Sequence, residues 1–200
     1  MDNGYPKKVT LKNGKVLTLR PLESTDEVEL VRFFSDLPSE CTAFLKDNVR
    51  DPHVVRRFVR EGDTDRVWAI LAVADDGRVV GDATLHMDHH GWRRHVGEVR
   101  VVVAPSMQRH RLATTLIHEL VNQASLTGLK KLEAQILDSQ VGARTAFEHL
   151  GFREEAKLKG HALDLSNNLH DLLILTNTVD DLWQKMEDLI SDLELTREVH

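Results

Sequence analysis

The stretch VVVAPSMQRHRLATTLIHEL, at residues 101–120, decides the fold class of this chain. It predicts a strand that ends at Pro105, a loop, and a helix from about Gln108 to Leu126. The loop carries two arginines and a histidine, where phosphate-binding turns of this kind usually carry glycine. Free N–H groups at a helix N-terminus, with the helix dipole behind them, favour an anion. The stretch therefore predicts either a phosphate site or a plain connection.

The elements on either side of this stretch predict a single mixed sheet. Before it come a strand at residues 15–22, two helices, and two strands joined by a hairpin turn at Asp75-Asp76-Gly77. After it come a strand, a helix and two further strands. Hairpins followed by a strand–helix–strand crossover indicate an α/β fold with one central sheet and one parallel pair in its middle.

Composition and charge narrow the class of protein. The 200 residues are 41% hydrophobic and 29% charged, which is typical of a globular protein of one domain, with or without an appendage. Residues 179–200 carry most of the net charge of −6, so the body is nearly neutral and we expect no nucleic-acid binding. No apolar run is long enough for a membrane span and no signal peptide is visible, which predicts a cytoplasmic location. Cys41 is the single cysteine, so no intrachain disulfide is expected.

Two motifs carry a family resemblance. The loop resembles the Q/R-x-x-G-x-G/A motif that binds acyl-CoA in the GNAT superfamily of N-acetyltransferases. Downstream, N-x-x-A-x-x-x-Y-x-x-x-G-F of the same family is matched by Gln140, Ala143, Phe147, Gly151 and Phe152. The resemblance covers about residues 15–177 and implies a GNAT-like α/β fold with a mixed, mostly antiparallel central sheet flanked by helices. We expect the GNAT-like domain at residues 1–178, and the sequence pattern beyond it predicts a C-terminal acidic amphipathic helix and tail at 179–200.

The resemblance also implies acetyl-CoA as the cosubstrate, with its diphosphate at the loop and its pantetheine beside the strand. The cofactor-binding residues implied are Val101, Val102, Val103, Gln108, Arg109, His110, Arg111, Leu112, Ala113, Thr114, Gln140 and Phe147. Arg111 replaces the more demanding glycine of the loop. If its backbone stays in the helical region, its N–H still points at the diphosphate, and Arg109 and Arg111 add charge-assisted contacts. The alternative is that the loop has lost the ligand.

Glu98 occupies the place where family members often have a glutamate base, so the resemblance implies that it accepts the proton of the amine. The alternative is an ion pair with Arg94 or Arg100. The family commonly has a tyrosine acid at Phe147, and phenylalanine has no proton to give. Tyr5 is the chain's only tyrosine and lies outside the matched region, so the acid is absent or replaced by water.

Each of three further sequence patterns has two interpretations. His86, His89, His90 and His95 lack the helical spacing of a metal site, so we expect no metal there and favour a solvated loop or contact with the acceptor. The phenylalanines of the first helical region either line an acceptor pocket or belong to the core; they are Phe33, Phe34 and Phe44. The C-terminal helix has an apolar stripe of Leu182, Met186, Leu189 and Leu193, which predicts docking on its own domain or homodimerisation.

The sequence therefore predicts an acetyl-CoA-dependent N-acetyltransferase that acts on a small-molecule or peptide primary amine by direct attack in a ternary complex. The alternative is a non-catalytic acyl-CoA-binding or regulatory domain on the same fold, which the replacements at Arg111 and Phe147 favour. A module that binds a protein partner through the acidic helix is a third interpretation, and it requires an empty loop.

Overall fold

The computed structural model describes residues 4–42, 45–61, 66–164 and 167–197, with side chains described throughout except at Glu40, Glu61 and residues 189–197. The strands are β1 (Lys7–Thr10), β2 (Val16–Pro21), β3 (Val67–Val73), β4 (Val79–Met87), β5 (Val96–Val103), β6 (Lys131–Leu137), β7 (Arg153–Leu163) and β8 (Leu169–Thr178). The helices are α1 (Glu27–Asp36), α2 (Ser39–Thr42), α3 (Pro52–Glu61), α4 (Leu112–Leu126), α5 (Val141–His149) and α6 (Val179–Arg197).

All the described strands form one sheet in the order β1-β2-β3-β4-β5-β6-β8-β7. Neighbouring strands are antiparallel except for β5 and β6, which are parallel because α4 carries the chain back across the sheet. The prediction of a mixed, mostly antiparallel sheet flanked by helices is thus confirmed. The sequence did not predict β1 or α2, and α4 begins at Leu112 rather than near Gln108.

The parallel pair of β5 and β6 is short. Only Val96, Gly97 and Glu98 of β5 pair with β6, whereas β5 pairs with β4 as far as Val103. On its other side β6 pairs with β8 as far as Leu137. Beyond Glu98 the described strands therefore leave a gap between β5 and β6, which we call the β5–β6 opening.

Helices cover both faces of the sheet. The larger core lies under α4, α5 and the start of α6, and includes Leu85, Val99 and Leu116. The smaller core lies under α1 and α3 and is built around Phe33 and Phe34. Because strand side chains alternate between faces, consecutive residues of β4 and β5 contribute to different cores.

The first turns of α6 pack on the domain that precedes them. Leu182 and Met186 are buried in the larger core, and the Trp183 ring stacks on His118 of α4 with centroids 5.7 Å apart. Leu189 and Leu193, also part of the predicted stripe, lie outside the residues whose side chains are described. The division at residue 178 and the homodimer stay predictions. Among the described residues, no helix has the length and apolar character needed to cross a membrane.

Candidate active site

The loop before α4 holds two arginines in the left-handed backbone region. Arg109 has φ 61° and Arg111, the N-cap of α4, has φ 71° and ψ 8°. An N–H of Arg111 that points at the diphosphate is expected only with a right-handed helical backbone. The backbone of Arg111 is left-handed instead, so that condition is not met. The chain leaves the 3-10 turn at Pro105–Met107 and must reverse sharply into α4, a bend that glycine usually supplies. Two bulky residues in this conformation indicate stored backbone strain at the loop.

The start of α4 presents unused hydrogen-bond donors. The Thr115 N–H donates to the Arg111 carbonyl, so it closes the first turn of the helix. The N–H groups of Leu112, Ala113 and Thr114 precede that bond and have no partner inside the helix. The first turn contains no acidic residue, and no side chain caps it. These donors, with the helix dipole, can hold an anion.

The rest of the loop is tied to the sheet. Gln108 Nε2 donates to the Val103 carbonyl at 3.4 Å, and the Lys12 N–H donates to the His110 carbonyl at 3.4 Å. The side chains of Arg109 and Arg111 are exposed, and among the described residues neither forms a hydrogen bond or an ion pair. Both guanidinium groups are available to a ligand that reaches the start of α4.

The free edge of β5 supplies a second set of donors. The Ala104 N–H donates to the Val80 carbonyl, and this bond sets the alternation of the antiparallel ladder. Even-numbered residues such as Val102 bond to β4, so Val101 and Val103 direct their N–H groups into the β5–β6 opening. An extended ligand in the opening can pair with this edge as an added strand does.

The residues of the second motif serve local structure. Gln140 is the N-cap of α5, and its Oε1 accepts a bond from the Leu137 N–H at 2.8 Å, where β6 ends. Phe147 is buried in the larger core, and its ring contacts Phe152 edge-on at 5.1 Å. The cofactor-binding roles of both residues stay predictions.

Glu98 lies in an ion-pair cluster. Its Oε1 accepts bonds from Lys46 Nζ and from Arg100 Nε, both at 2.7 Å, and Arg100 also contacts Asp47 at 3.1 Å. Burial alone would raise the pKa of Glu98, but the two cations outweigh it and hold the pKa below its usual value. This geometry favours the ion-pair alternative and weakens the carboxylate as a base.

On the same face of the sheet as Glu98 lies a cavity of about 350 Å³ between β4–β5 and the α1–α3 region. Its outer wall is mainly apolar, and its floor is the strand pair β4–β5. The lining comprises Phe34, Leu45, Lys46, Asp47, Val49, Val54, Val55, Arg57, Phe58, Asp82, Thr84, His86, Arg100 and Val102. We call it the Asp82 cavity. Phe34 lines it, Phe33 lies in the smaller core, and Phe44 lies outside the described residues.

Three polar side chains of β4 form the floor of the cavity. Asp82, Thr84 and His86 alternate along the strand and so share one face. Thr84 Oγ1 lies 3.0 Å from His86 Nε2. Burial, with help from the nearby Arg100 charge, lowers the pKa of His86 to about 4, so its imidazole is neutral at pH 7.

Asp82 is the least satisfied of these groups. It is 7% exposed, and among the described residues nothing donates a hydrogen bond to its Oδ1. Burial raises the pKa of Asp82 to about 7. A carboxyl with a pKa near neutrality is suited to proton exchange.

The sequence reasoning missed Asp82. The signal was present in VGDATLHM at residues 80–87, where polar residues alternate with apolar ones. That pattern usually marks a solvent-facing side of a strand, and here the side faces a covered cavity. Across the described ranges, no group of three or more His, Cys, Asp or Glu side chains is placed to hold a metal ion.

Comparison with known proteins identifies the protein family. The sequence profile described as "Acetyltransferase (GNAT) family" matches residues 30–152, more than half of the chain. The chain therefore belongs to the GNAT family of acetyltransferases, and members of this family use acetyl-CoA. A search among curated proteins finds no match.

Solved structures with the same fold include several acetyltransferases. A GNAT-family acetyltransferase from Streptococcus pneumoniae has 21% identity and a TM-score of 0.69, over 81% of this chain and 99% of that one. For yncA from Salmonella typhimurium, solved with its cofactor acetyl-CoA, the values are 18% and 0.69, over 82% and 94%. A ribosomal-protein-alanine N-acetyltransferase from Brucella melitensis has 22% identity and a TM-score of 0.69, over 80% and 98%. At these identities the likeness establishes the fold.

Proposed function

We propose that this chain is an acetyl-CoA-dependent N-acetyltransferase that transfers the acetyl group to a primary amine by direct attack in a ternary complex. One observation carries the proposal: the same segment of β5 borders two spaces. Val101 and Val103 direct N–H groups into the β5–β6 opening, while Arg100 and Val102 line the Asp82 cavity. An acyl donor in the opening and an acceptor in the cavity would meet at this segment.

Acetyl-CoA fits the donor side. Its diphosphate would bind the N–H groups of Leu112, Ala113 and Thr114, with Arg109 and Arg111 contacting phosphate oxygens. Its pantetheine would pair with the free edge of β5. The thioester carbonyl would then accept a bond from the Val101 or Val103 N–H, which stabilises the oxyanion that forms on attack.

The chain does not supply the tyrosine acid of the family. Phe147 is buried and has no hydroxyl group, so the leaving thiolate must take its proton from water or from the amine itself. A thiol of pKa near ~8.5 is a fair leaving group, and its departure needs little assistance at neutral pH. The role of base for Glu98 stays a prediction, and its bonds to Lys46 and Arg100 favour a role in holding the segment beside α3 against β5.

The second candidate function is a non-catalytic acyl-CoA-binding or regulatory domain. Two observations favour it: Phe147 replaces the proton donor, and the cations beside Glu98 lower its basicity. The donor side of the site would then bind acyl-CoA without transfer.

One experiment separates these functions. Acetyl-CoA binding is measured by calorimetry, and thiol release is then followed with a panel of primary amines. Binding together with amine-dependent thiol release supports the transferase. Binding without release by any amine supports the regulatory domain. An absence of binding at millimolar acetyl-CoA would overturn both.

A further inference from the structure

The Asp82 cavity contains a buried group that the fold does not satisfy. Among the described residues, Asp82 Oδ1 is the one buried side-chain oxygen or nitrogen without a hydrogen-bond partner. Leaving a buried acceptor without a donor lowers the stability of the fold, and more so for a charged group. A ligand that donates to Asp82 would remove this cost.

The protein's own cations near the cavity do not contact Asp82. Lys46 and Arg100 contact Glu98, and Arg100 also contacts Asp47. Arg57 lines the cavity from α3 but is exposed. On β4 itself, His86 is neutral at pH 7 and lies against Thr84. None of these groups donates a hydrogen bond to Asp82, so a ligand that carries a positive charge can supply the missing donor.

The other walls define the rest of the ligand. Phe34, Leu45, Val49, Val54 and Phe58 offer apolar contact above the carboxyl. The volume of about 350 Å³ suits a small molecule or one extended side chain. A second charged amino group on the same stem would lie among these apolar side chains, and the other carboxylate of the lining, Asp47, already contacts Arg100.

We propose that Asp82 binds the amino group of the acceptor at the floor of this cavity and accepts a proton from it during transfer, and that the acceptor is a primary amine on an apolar stem. This assignment rests on the proposed transferase function, and it adds the substrate class and the proton acceptor. The raised pKa of Asp82, about 7, supports it because the group can gain and lose a proton near neutrality.

An ammonium group loses two protons on the way to an amide. The first passes to the Asp82 carboxylate and then to solvent, which frees the nitrogen lone pair to attack the thioester carbon. The C–N bond forms, the C–S bond breaks, and its electron pair leaves on sulfur. The second proton of the nitrogen ends on that sulfur, so the products are the N-acetyl amine and free CoA thiol.

The direct test uses Asp82→Asn in the full chain, with hexylamine as the probe acceptor. The matched control is Asp36→Asn, an exposed acid at the end of α1 outside the cavity. We expect Asp82→Asn to lower kcat/KM for hexylamine by about 10²–10⁴-fold and to keep acetyl-CoA affinity. The inflection near pH 7 in the wild-type pH profile should disappear in this variant alone. An activity within threefold of wild type, with that inflection retained, would overturn the proposal.

A measurement on the wild-type protein covers two further cases, an Asp82→Asn variant that does not fold and a protein that transfers to no amine. Hexylamine, hexanol and spermidine are each titrated while the melting temperature is followed, without acetyl-CoA. We expect stabilisation by hexylamine to exceed that by the other two, since hexanol lacks the charge and spermidine carries unmatched charges. Equal shifts for hexylamine and hexanol would refute the role of Asp82, whatever the outcome for catalysis. If hexylamine binds but no amine is acetylated, the transferase function fails and the amine site stands.

Discussion

Arginine at position 111 shows how one residue can keep the form of a motif while changing its chemistry. The backbone of Arg111 adopts a left-handed conformation, which glycine adopts at little cost. For an L-residue other than glycine this conformation costs roughly 1–2 kcal/mol. Arg111 keeps the donors of α4 in place and adds a cation at the same point. The loop is therefore less stable than it would be with glycine, and it carries an additional positive charge.

Arg111→Gly should therefore stabilise the protein by about 1 kcal/mol, since glycine relieves the strain. Urea unfolding measures the change. Arg111→Ala is the matched control, because it removes the same side chain without relieving the backbone. If the glycine and alanine variants are equally stable, position 111 is not strained.

A second substitution, at Glu98, tests whether this residue is the general base. Because Lys46 and Arg100 lower its pKa, we expect Glu98→Gln to reduce kcat/KM less than about tenfold and to leave the pH profile near pH 7 unchanged. Steady-state rates across pH measure both. A loss of about 10²–10⁴-fold at neutral pH would instead restore the base that the family resemblance implies.

Among the secondary-structure elements, the site depends on which residues of β5 and β6 pair and on where that pairing ends. Gly97 lies in the short paired segment, where an added Cβ would meet Leu129 Cδ1 at 2.7 Å and Leu85 Cδ1 at 2.8 Å. The strand therefore needs glycine there for close packing with its neighbours. The pairing of β5 with β6 fixes one end of the β5–β6 opening.

Gly97→Ala should destabilise the protein by about 1–3 kcal/mol, since the methyl group overpacks the core. Gly142→Ala in α5 is the control: no atom lies within 4 Å of its added Cβ, and alanine favours a helix by about 0.5–1 kcal/mol. The free energy of unfolding of each variant measures whether the added methyl group at position 97 destabilises the fold. A neutral Gly97→Ala would mean that the leucines move aside without cost.

At the scale of the whole molecule, folding must bury Asp82 before any acceptor arrives. Between about pH 4 and pH 7 the folded chain holds a proton on Asp82 that the unfolded chain has released. Since the unfolded state then binds fewer protons, this group lowers stability as pH rises through that window. Below about pH 4 the carboxyl is protonated in both states, and its penalty is absent.

The stability of wild type relative to Asp82→Asn should consequently fall as pH rises from 4 to 8, by up to roughly 4 kcal/mol. Urea unfolding of both proteins at several pH values measures this difference. Other carboxyls cancel in the comparison because both proteins contain them. A difference that stays constant with pH would show that Asp82 is charged at little cost in the folded state.

Local patterns predicted the elements well, because hydrophobic periodicity, turn residues and caps act over a few residues. The hairpin at Asp75-Asp76-Gly77 and the strand–loop–helix at residues 101–120 are examples. The strand β1 was missed because it is four residues long and its pattern is weak. The loop residues were identified as a group, but the left-handed backbone of Arg111 was not, since arginine rarely adopts it.

The sequence by itself determined the order of the elements other than β1 and α2, the mixed sheet and the loop at the start of α4, since each rests on residues near one another in the chain. The tertiary structure decided which side chains of β4, β5 and the α1–α3 region contact or cover one another. Glu98 meets Lys46, 52 residues away, and becomes an ion pair. Asp82 looks like a surface residue in sequence, but α1 and α3 cover its side of the sheet. A carboxyl's basicity depends on burial and on nearby charges, and both are set by parts of the chain that meet only on folding.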